Sequence, residues 1–252
     1  MPEGDVLKRT AQRFELAFAG KTLVRSDLRW PSAATVDLVG RTVLETFSYG
    51  KHLLTRFDDG RTLHTHLRMD GYWRIWRTGT SAAAGRSPNV RAVLATADWT
   101  AVGHHLGMLD VVRTRDEHTL VGHLGPDILA EPVDADEMLR RWAARGSTPV
   151  AEVMLDQTVV AGIGTLFAAE SLFAEQLWPW TPADQVDASR QLAVARRQMR
   201  RSVIDGRSPE HVHARTRQPC HRCGTPIAVG QARKPPMERP IFYCPRCQPS
   251  PA

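Results

Sequence analysis

Apolar residues near the N-terminus are spaced as on one face of a helix. Leu7, Ala11, Phe14 and Phe18 follow one another at intervals of four, three and four residues, and a glycine stands two residues further on. Side chains at these intervals line one helix face, and glycine is common just after a helix. The pattern therefore predicts a helix over residues 5–19.

From about residue 22 to residue 113 the pattern changes to short alternating segments. Leu63, Thr65 and Leu67 alternate with His64 and His66, which is the period of a strand. The other strand candidates are Tyr72 to Trp76, Val90 to Thr96 and Met108 to Val112. Several short strands separated by Asp-Gly turn signals predict a β-sandwich or a barrel.

Helical patterns dominate the C-terminal half. After a loop over residues 78–89 and a connector over residues 114–133, the sequence predicts four helices: Asp134 to Ala144, Pro149 to Leu155, Gly164 to Leu177 and Ala183 to Ile204. Two apolar runs near the C-terminus, Pro226 to Val229 and Pro240 to Tyr243, predict the arms of a hairpin.

Composition places the chain among ordinary globular proteins. Of its 252 residues, 42% are hydrophobic and 24% are charged, which argues against wholesale disorder. The longest nearly uncharged apolar stretch, Thr158 to Ala169, is too short to span a bilayer. Charges interrupt the N-terminus early, unlike in a signal peptide. We therefore expect a soluble cytoplasmic protein with no membrane partner.

Positive charge is concentrated in the C-terminal part of the chain. Residues 186–252 contain 13 Lys or Arg and 4 Asp or Glu, a net charge of +9, whereas residues 1–185 carry a net charge of −3. A basic segment suggests a polyanionic partner such as nucleic acid. Arginine outnumbers lysine 29 to 4. An arginine-rich genome would produce such a bias too, so charge alone leaves the partner open.

All four cysteines lie near the C-terminus, at Cys220, Cys223, Cys244 and Cys247. Two C-x2-C pairs separated by 20 residues can place four thiolates tetrahedrally around Zn²⁺. Two disulfides are the alternative, but they would require an oxidising compartment. A segment of about 35 residues buries too little core to fold alone. The pattern therefore favours one structural zinc ion per chain.

The chain opens with Met1-Pro2-Glu3-Gly4. A small second residue permits removal of the initiator methionine, which would leave Pro2 with a free secondary amine. Such an amine can attack an aldehyde-level carbon and form an iminium without further activation. Glu3 would stand beside it as a general acid or base. Many proteins begin with Met-Pro, so an ordinary exposed terminus is the alternative.

Further motifs accompany this N-terminus. They are Gly50-Lys51-His52-Leu53-Leu54, His66-Leu67-Arg68-Met69-Asp70-Gly71 as a hairpin, His123-Leu124-Gly125-Pro126-Asp127, Leu155-Asp156-Gln157 with Gly162-Ile163-Gly164, and Glu170-Ser171-Leu172-Phe173. Arg239 stands five residues before Cys244. With the paired cysteines, these motifs make the chain resemble the formamidopyrimidine-DNA glycosylase / endonuclease VIII family of base-excision repair enzymes over nearly its whole length.

The resemblance implies an α+β fold with a defined domain order. Residues 1–115 would form a catalytic β-sandwich domain with a leading helix, and residues 116–133 a linker. Residues 134–214 would form a helix–two-turn–helix DNA-binding domain that carries a C-terminal zinc β-hairpin, the four-Cys zinc finger, over residues 215–248.

The resemblance also implies roles for individual residues. Pro2 would attack C1′ of the damaged nucleotide, and Glu3 would protonate the sugar ring oxygen. Lys51 would hold phosphate and assist β-elimination. Arg239 would clamp the flanking phosphates and serve a second elimination. The residues implied in DNA binding, besides Arg239, are Met69 as an apolar wedge, Arg68 beside it, and Gly164 and Thr165 at a phosphate site whose N–H groups begin at Gly162.

The sequence departs from the family pattern at five places: Phe167 replaces Tyr, His213-Ala214-Arg215 replaces Tyr-Gly-Arg, and three further departures bear on function. Gly164-Thr165 replaces Gly-Asn, although the Thr hydroxyl can still donate to phosphate and cap the helix. Asp5-Val6 replaces Pro-Glu, which suggests that a second nearby carboxylate is missing. The Arg-Arg-Phe-Gly loop is absent from residues 104–109, which favours the endonuclease VIII-like branch and oxidised pyrimidines as substrates.

The sequence therefore predicts a monomeric, nucleoid-associated bifunctional DNA glycosylase and AP lyase that acts on damaged DNA. It forms a Schiff base through Pro2 and proceeds by β-elimination, while the sequence leaves open whether δ-elimination follows. One alternative is a lyase-only or catalytically weakened DNA-damage binding protein on the same scaffold, because of Thr165 and Asp5-Val6. Another is a zinc-ribbon nucleic-acid module with an unrelated β domain, which the joint presence of Pro2, Glu3, Lys51 and Arg239 disfavours.

Overall fold

The first helix forms where the apolar spacing predicts it. The computed structural model describes residues 2–233 and 236–250. Helix α1 spans Gly4–Phe18, and the apolar face predicted from the sequence, including Phe14, is buried. Leu16 lies outside this face and is 91% exposed. Hydrophobic spacing thus fixes both the helix and its orientation.

Eight strands between residues 25 and 113 form two four-stranded antiparallel sheets. They are β1 Arg25–Leu28, β2 Val43–Tyr49, β3 His52–Phe57, β4 Arg61–His66, β5 Tyr72–Arg77, β6 Val90–Ala95, β7 Trp99–His104 and β8 Met108–Arg113. One sheet has the order β1-β6-β7-β5 and the other β2-β3-β4-β8. Apolar side chains of both sheets share one core with α1, so the predicted β-sandwich is confirmed.

The segment after β4 differs from the predicted hairpin. Strands β4 and β5 belong to different sheets, so residues 67–71 cross from one layer of the sandwich to the other. Leu67 is buried in the sandwich core. The chain therefore turns inward after His66 instead of returning along β4, and the hairpin prediction is wrong.

The first compact unit ends at His123 and the second comprises residues 124–252. Short helical segments close the first unit: a 3₁₀ turn at Thr114–Asp116 and helix α2 at His118–Val121. The second unit contains α3 Ala135–Ala143, α4 Val150–Leu155, α5 Thr165–Ala174 and α6 Ala188–Asp205. These helices have a hydrophobic core of their own.

Two helix boundaries differ from the sequence prediction by more than one residue. Helix α6 begins at Ala188 and not at Ala183, because the Asp187 carboxylate accepts the N–H of Arg190 at 3.0 Å and caps the helix there. Helix α5 ends at Ala174 and not at Leu177. Gln176 has a φ of +57°, which no continuing right-handed helix adopts.

A two-stranded hairpin follows the helices. Strand β9 (Ala228–Gln231) pairs antiparallel with β10 (Pro240–Tyr243). The second predicted arm is confirmed, whereas the first begins two residues later than predicted. Ile241 and Cys244 are buried in the core of the second unit. None of the helices in the described residues has the length and apolar character needed to cross a membrane.

Candidate active site and metal centre

Glu3 lies at the N-terminal end of α1. Its carbonyl oxygen accepts the N–H groups of Val6 at 3.0 Å and Leu7 at 3.3 Å, so Glu3 is the N-cap residue of α1. Its side chain is buried, with the residue 2% exposed. Pro2 precedes it and is partly exposed, while Met1 lies outside the described residues, so its removal stays a prediction.

Asp5 stands two residues after Glu3, at the place where the family pattern has Pro-Glu. It is buried in the first turn of α1, and its Oδ2 lies 3.6 Å from Nη2 of Arg9. The Asp5 carboxylate is thus paired with Arg9. The interpretation that a second carboxylate beside Glu3 is missing stays a prediction.

Lys51 occupies a two-residue turn between β2 and β3. Gly50 precedes it with a φ of +57°, which favours glycine at this position and makes the tight turn possible. Lys51 is partly buried. Helix α1 packs against both strands. One link is the N–H of Thr46, which donates to Oε2 of Glu15 at 2.6 Å.

Met69 and Arg68 lie in the crossing between β4 and β5. Met69 is 62% exposed, which is unusual for a large apolar side chain. Arg68 has a φ of +54°, and its Nη2 lies 3.4 Å from Sδ of Met108. The structure thus presents the Met69 side chain outward, as a wedge would require. The wedge role itself stays a prediction.

Substitution of Gly71 by alanine is expected to disturb this crossing. An added Cβ would lie 2.4 Å from the carbonyl oxygen of Leu67 and 2.9 Å from that of His105, and both are backbone atoms. We expect G71A to lower the free energy of unfolding by about 1–3 kcal/mol, as overpacking does. Thermal unfolding measures this loss. Asp70→Ala, an exposed neighbour, should unfold like the wild type; equal behaviour of both variants would contradict the argument.

The turn before α5 differs from the predicted phosphate site. Gly162 has a φ of +108°, and its N–H donates to Oε1 of Gln157 at 3.1 Å. The Gln157 amide also donates to the carbonyl of Ile163 at 2.8 Å. The N–H of Gly162 is therefore engaged within the protein. Gln157 holds the turn in shape, a role the sequence reasoning missed.

Gly164, and not Thr165, is the residue that caps α5. Gly164 has an extended backbone, and Thr165 is the first helical residue and buried. The expectation that Thr165 caps the helix is wrong, because a capping side chain must come from the residue before the first turn.

Glu170 is a second residue that the sequence reasoning did not interpret. It is fully buried on α5, and Oε1 accepts the N–H groups of His211, Val212 and His213 at 2.8–2.9 Å. One carboxylate thereby fixes the segment that leads from α6 to the hairpin. The partners lie more than 40 residues away in the sequence, so no local pattern could reveal them.

Arg239 lies at the end of the loop that joins β9 to β10. Its side chain is exposed, and Nη1 donates to the carbonyl of Glu238 at 2.9 Å. Its carbonyl accepts the N–H of Ala232 at 2.8 Å, which holds the base of the loop together. The guanidinium can therefore reach a ligand from a fixed backbone.

The four cysteines converge below the hairpin. Their Sγ atoms all lie within 4.8 Å of one another, with Cys220 and Cys247 at 3.9 Å and Cys223 and Cys244 at 3.5 Å. These separations are too long for disulfides, whose S–S bond is about 2.05 Å. Tetrahedral Zn–S bonds of about 2.3 Å place sulfurs roughly 3.8 Å apart. The four cysteine sulfurs therefore fit a metal ion with four protein ligands and no open coordination position, which is the arrangement of structural zinc sites.

Known proteins similar to this chain include some named endonuclease 8 or AP lyase and others named formamidopyrimidine-DNA glycosylase. A protein from Streptomyces coelicolor named "Probable endonuclease 8 2" is 41% identical, with 100% of this chain and 95% of the relative covered. A Mycolicibacterium smegmatis protein named "DNA-(apurinic or apyrimidinic site) lyase Nei2" is 36% identical over 98% and 99% of the two chains. A formamidopyrimidine-DNA glycosylase from Janthinobacterium is 32% identical over 98% of each.

A solved structure supports the fold. The complex of Lactococcus lactis Fpg with DNA containing N7-benzyl-Fapy-dG superposes with a TM-score of 0.82 at 22% identity, covering 99% of this chain and 100% of that one. The model of the formamidopyrimidine-DNA glycosylase N-terminal domain matches residues 1–116, and that of the H2TH domain matches residues 124–206. This chain belongs to the formamidopyrimidine-DNA glycosylase / endonuclease VIII family.

Proposed function

We propose that this protein is a bifunctional DNA glycosylase and AP lyase of base-excision repair. The observation that carries the proposal is the family match together with a Pro2-Glu3 terminus whose carboxylate is buried at the start of α1. The relative named as an AP lyase supports the second activity. Damaged DNA is the partner, and the titles of several structural neighbours describe complexes with abasic-site DNA.

The reaction begins at the nitrogen of Pro2. This amine attacks C1′ of the damaged nucleotide, and the bond from C1′ to the base breaks as the base leaves with the electron pair and a proton. The proton that leaves with the base is the one that the attacking amine loses. Glu3 then protonates the ring oxygen O4′, the C1′–O4′ bond breaks, and the lone pair of the Pro2 nitrogen completes the iminium C=N bond to the opened sugar. The iminium acidifies C2′. Loss of a C2′ proton then expels the 3′ phosphate, and Lys51 assists this β-elimination.

The remaining predicted residues bind the DNA or support the segment that binds it. Met69 fills the gap left by an extruded base, and Arg68 contacts the strand beside it. The α5 turn at Gly164 and Thr165 contacts a phosphate through donors other than the engaged N–H of Gly162. Arg239 forms charge-assisted hydrogen bonds with phosphates and serves a second elimination. The four thiolates hold one Zn²⁺ that keeps the hairpin beneath Arg239 folded.

Oxidised pyrimidines are the proposed substrates. The relatives at 35–41% identity are named endonuclease 8 2 or Nei2, whereas those named formamidopyrimidine-DNA glycosylase are 28–32% identical. The absence of the Arg-Arg-Phe-Gly loop from residues 104–109 points the same way.

Borohydride trapping across a panel of lesions tests this function. We expect a covalent adduct with duplexes that contain an abasic site or an oxidised pyrimidine, and base release from the latter. An adduct with the abasic site but no release of any base would favour the lyase-only alternative. Salt-sensitive binding without any adduct would reject both, because phosphate contacts alone produce it.

A further inference from the structure

One face of the sheet β2-β3-β4-β8 carries a cluster of histidines. His52 on β3 stands opposite His66 on β4, and His64 stands opposite Asp110 on β8. Paired residues of neighbouring strands project to the same face, as do residues two apart on one strand. The four side chains therefore share one face. The opposite face holds Leu63 and its neighbours in the sandwich core.

Hydrogen bonds join three of these side chains into a chain. Nδ1 of His52 lies 2.8 Å from Nε2 of His64, and Nδ1 of His64 lies 3.2 Å from Oδ2 of Asp110. The two rings are nearly parallel, with centroids 5.0 Å apart. His64 is 1% exposed. A buried imidazole with a fixed partner on each nitrogen has one rotamer and one orientation.

The charge of Asp110 sets the direction of this chain. An ionised carboxylate only accepts, so Nδ1 of His64 carries a proton and donates to Asp110. A neutral His64 then offers Nε2 as an acceptor, and Nδ1–H of His52 donates to it. The remaining nitrogen of His52, Nε2, is left with a lone pair. Asp110 thus selects one tautomer of His52 through His64.

Burial favours the neutral form of these imidazoles. Burial lowers the pKa of His52 to about 3, and the positive charge of Lys51 acts in the same direction. Burial also lowers the pKa of His64, against the opposing effect of Asp110. Neutral rings are what the tautomer assignment requires.

Lys51 directly precedes His52, in the turn between β2 and β3. The turn that carries Lys51 ends where His52 pairs with Tyr49 and stands opposite His66. The positive charge of Lys51 also acts to lower the pKa of both His52 and His66. A lone pair on Nε2 of His52 attracts an ammonium N–H, whereas a proton there would repel it. The tautomer of His52 therefore matters for Lys51.

We propose that Asp110, His64 and His52 form a hydrogen-bonded relay that presents the Nε2 lone pair of His52 to the Lys51 ammonium and holds it in place for elimination. His52, His64 and Asp110 are then positioning residues, since they act through Lys51. The inference rests on the proposed role of Lys51 in β-elimination. The relay itself is a property of the fold and is measurable apart from any reaction.

Replacement of His52 by asparagine separates a structural role from a positioning role. The asparagine amide can still donate to Nε2 of His64 but has no atom at the place of Nε2. We expect H52N to unfold thermally like the wild type, while the single-turnover rate of β-elimination on a duplex with a preformed abasic site falls about 10- to 100-fold, as small misplacements cause. His52→Gln, whose amide oxygen reaches that place, should recover part of the rate.

Exposed His118 on α2 supplies the matched control. H118N should leave both the rate and the unfolding temperature unchanged, since His118 lies outside the relay. A wild-type elimination rate in H52N would overturn the proposal. If the wild-type protein itself forms no adduct, the proposed function is wrong. The relay is then tested only by the protonation of the histidine ring nitrogens.

Nitrogen-15 NMR of the histidine rings tests the relay without any substrate. In the wild type at pH 7, we expect His52 to carry its proton on Nδ1. Asp110→Asn should give a mixture of His52 tautomers, because an amide can donate as well as accept. Its elimination rate should lie between those of the wild type and H52N. A wild-type His52 protonated on Nε2, or no change of tautomer in D110N, would overturn the proposal.

Discussion

Blocking the nitrogen of Pro2 is expected to abolish the borohydride-trapped adduct. The covalent step requires an amine lone pair, and an uncleaved residue before Pro2 converts that nitrogen into an amide with no nucleophilic lone pair. We expect no adduct above background with such an N-terminally extended variant, a loss on the order of 10³-fold or more. Gel analysis after trapping on an abasic-site duplex measures it.

Two further variants make this result specific. Pro2→Gly retains a terminal amine but loses the rigid ring, so its adduct should fall strongly without DNA affinity falling in parallel. Glu3→Gln keeps the side-chain shape at the start of α1 while removing the carboxylate, and should form adduct slowly. Mass mapping of the wild-type adduct should place the sugar on residue 2. A lysine carrying the sugar instead would refute the assignment of the nucleophile.

Removal of the metal is expected to unfold the hairpin. Binding of Zn²⁺ to four thiolates contributes on the order of 10 kcal/mol or more to the folding of such segments. We expect Cys244→Ser to lower the zinc content well below one ion per chain. The tryptophan fluorescence of this variant should also change, because two tryptophans contact the hairpin. Nε1 of Trp180 donates to the carbonyl of Gln231 at 2.9 Å, and Trp178 packs edge-on against Tyr243.

His221 provides the control within the same knuckle. It lies between Cys220 and Cys223 and is exposed, outside the thiolate cluster. His221→Ala should retain one zinc ion and the wild-type fluorescence. DNA binding should weaken in C244S and not in H221A, because Arg239 depends on the hairpin backbone. Purified protein without zinc and without free thiols would instead support the disulfide alternative.

Local patterns in the sequence predicted α1, four of the eight sandwich strands (β4, β5, β6 and β8) and the cysteine set. These features depend on residues close together along the chain, whose spacing repeats the geometry of a helix, a strand or a metal knuckle. The same reasoning failed where the chain had two local options. A turn after His66 could lead back along β4 or across the sandwich, and burial of Leu67 in the shared core decided between them.

The sequence by itself determined the family, the α+β architecture and the candidate residues Pro2, Glu3 and Lys51, because motif and periodicity are written in consecutive residues. Only the tertiary structure decided which polar groups meet. Gln157 engages Gly162, Glu170 binds a segment more than 40 residues away, and His64 joins His52 to Asp110. Such partners are brought together by strand register and packing, which depend on the whole fold and not on any stretch of the chain.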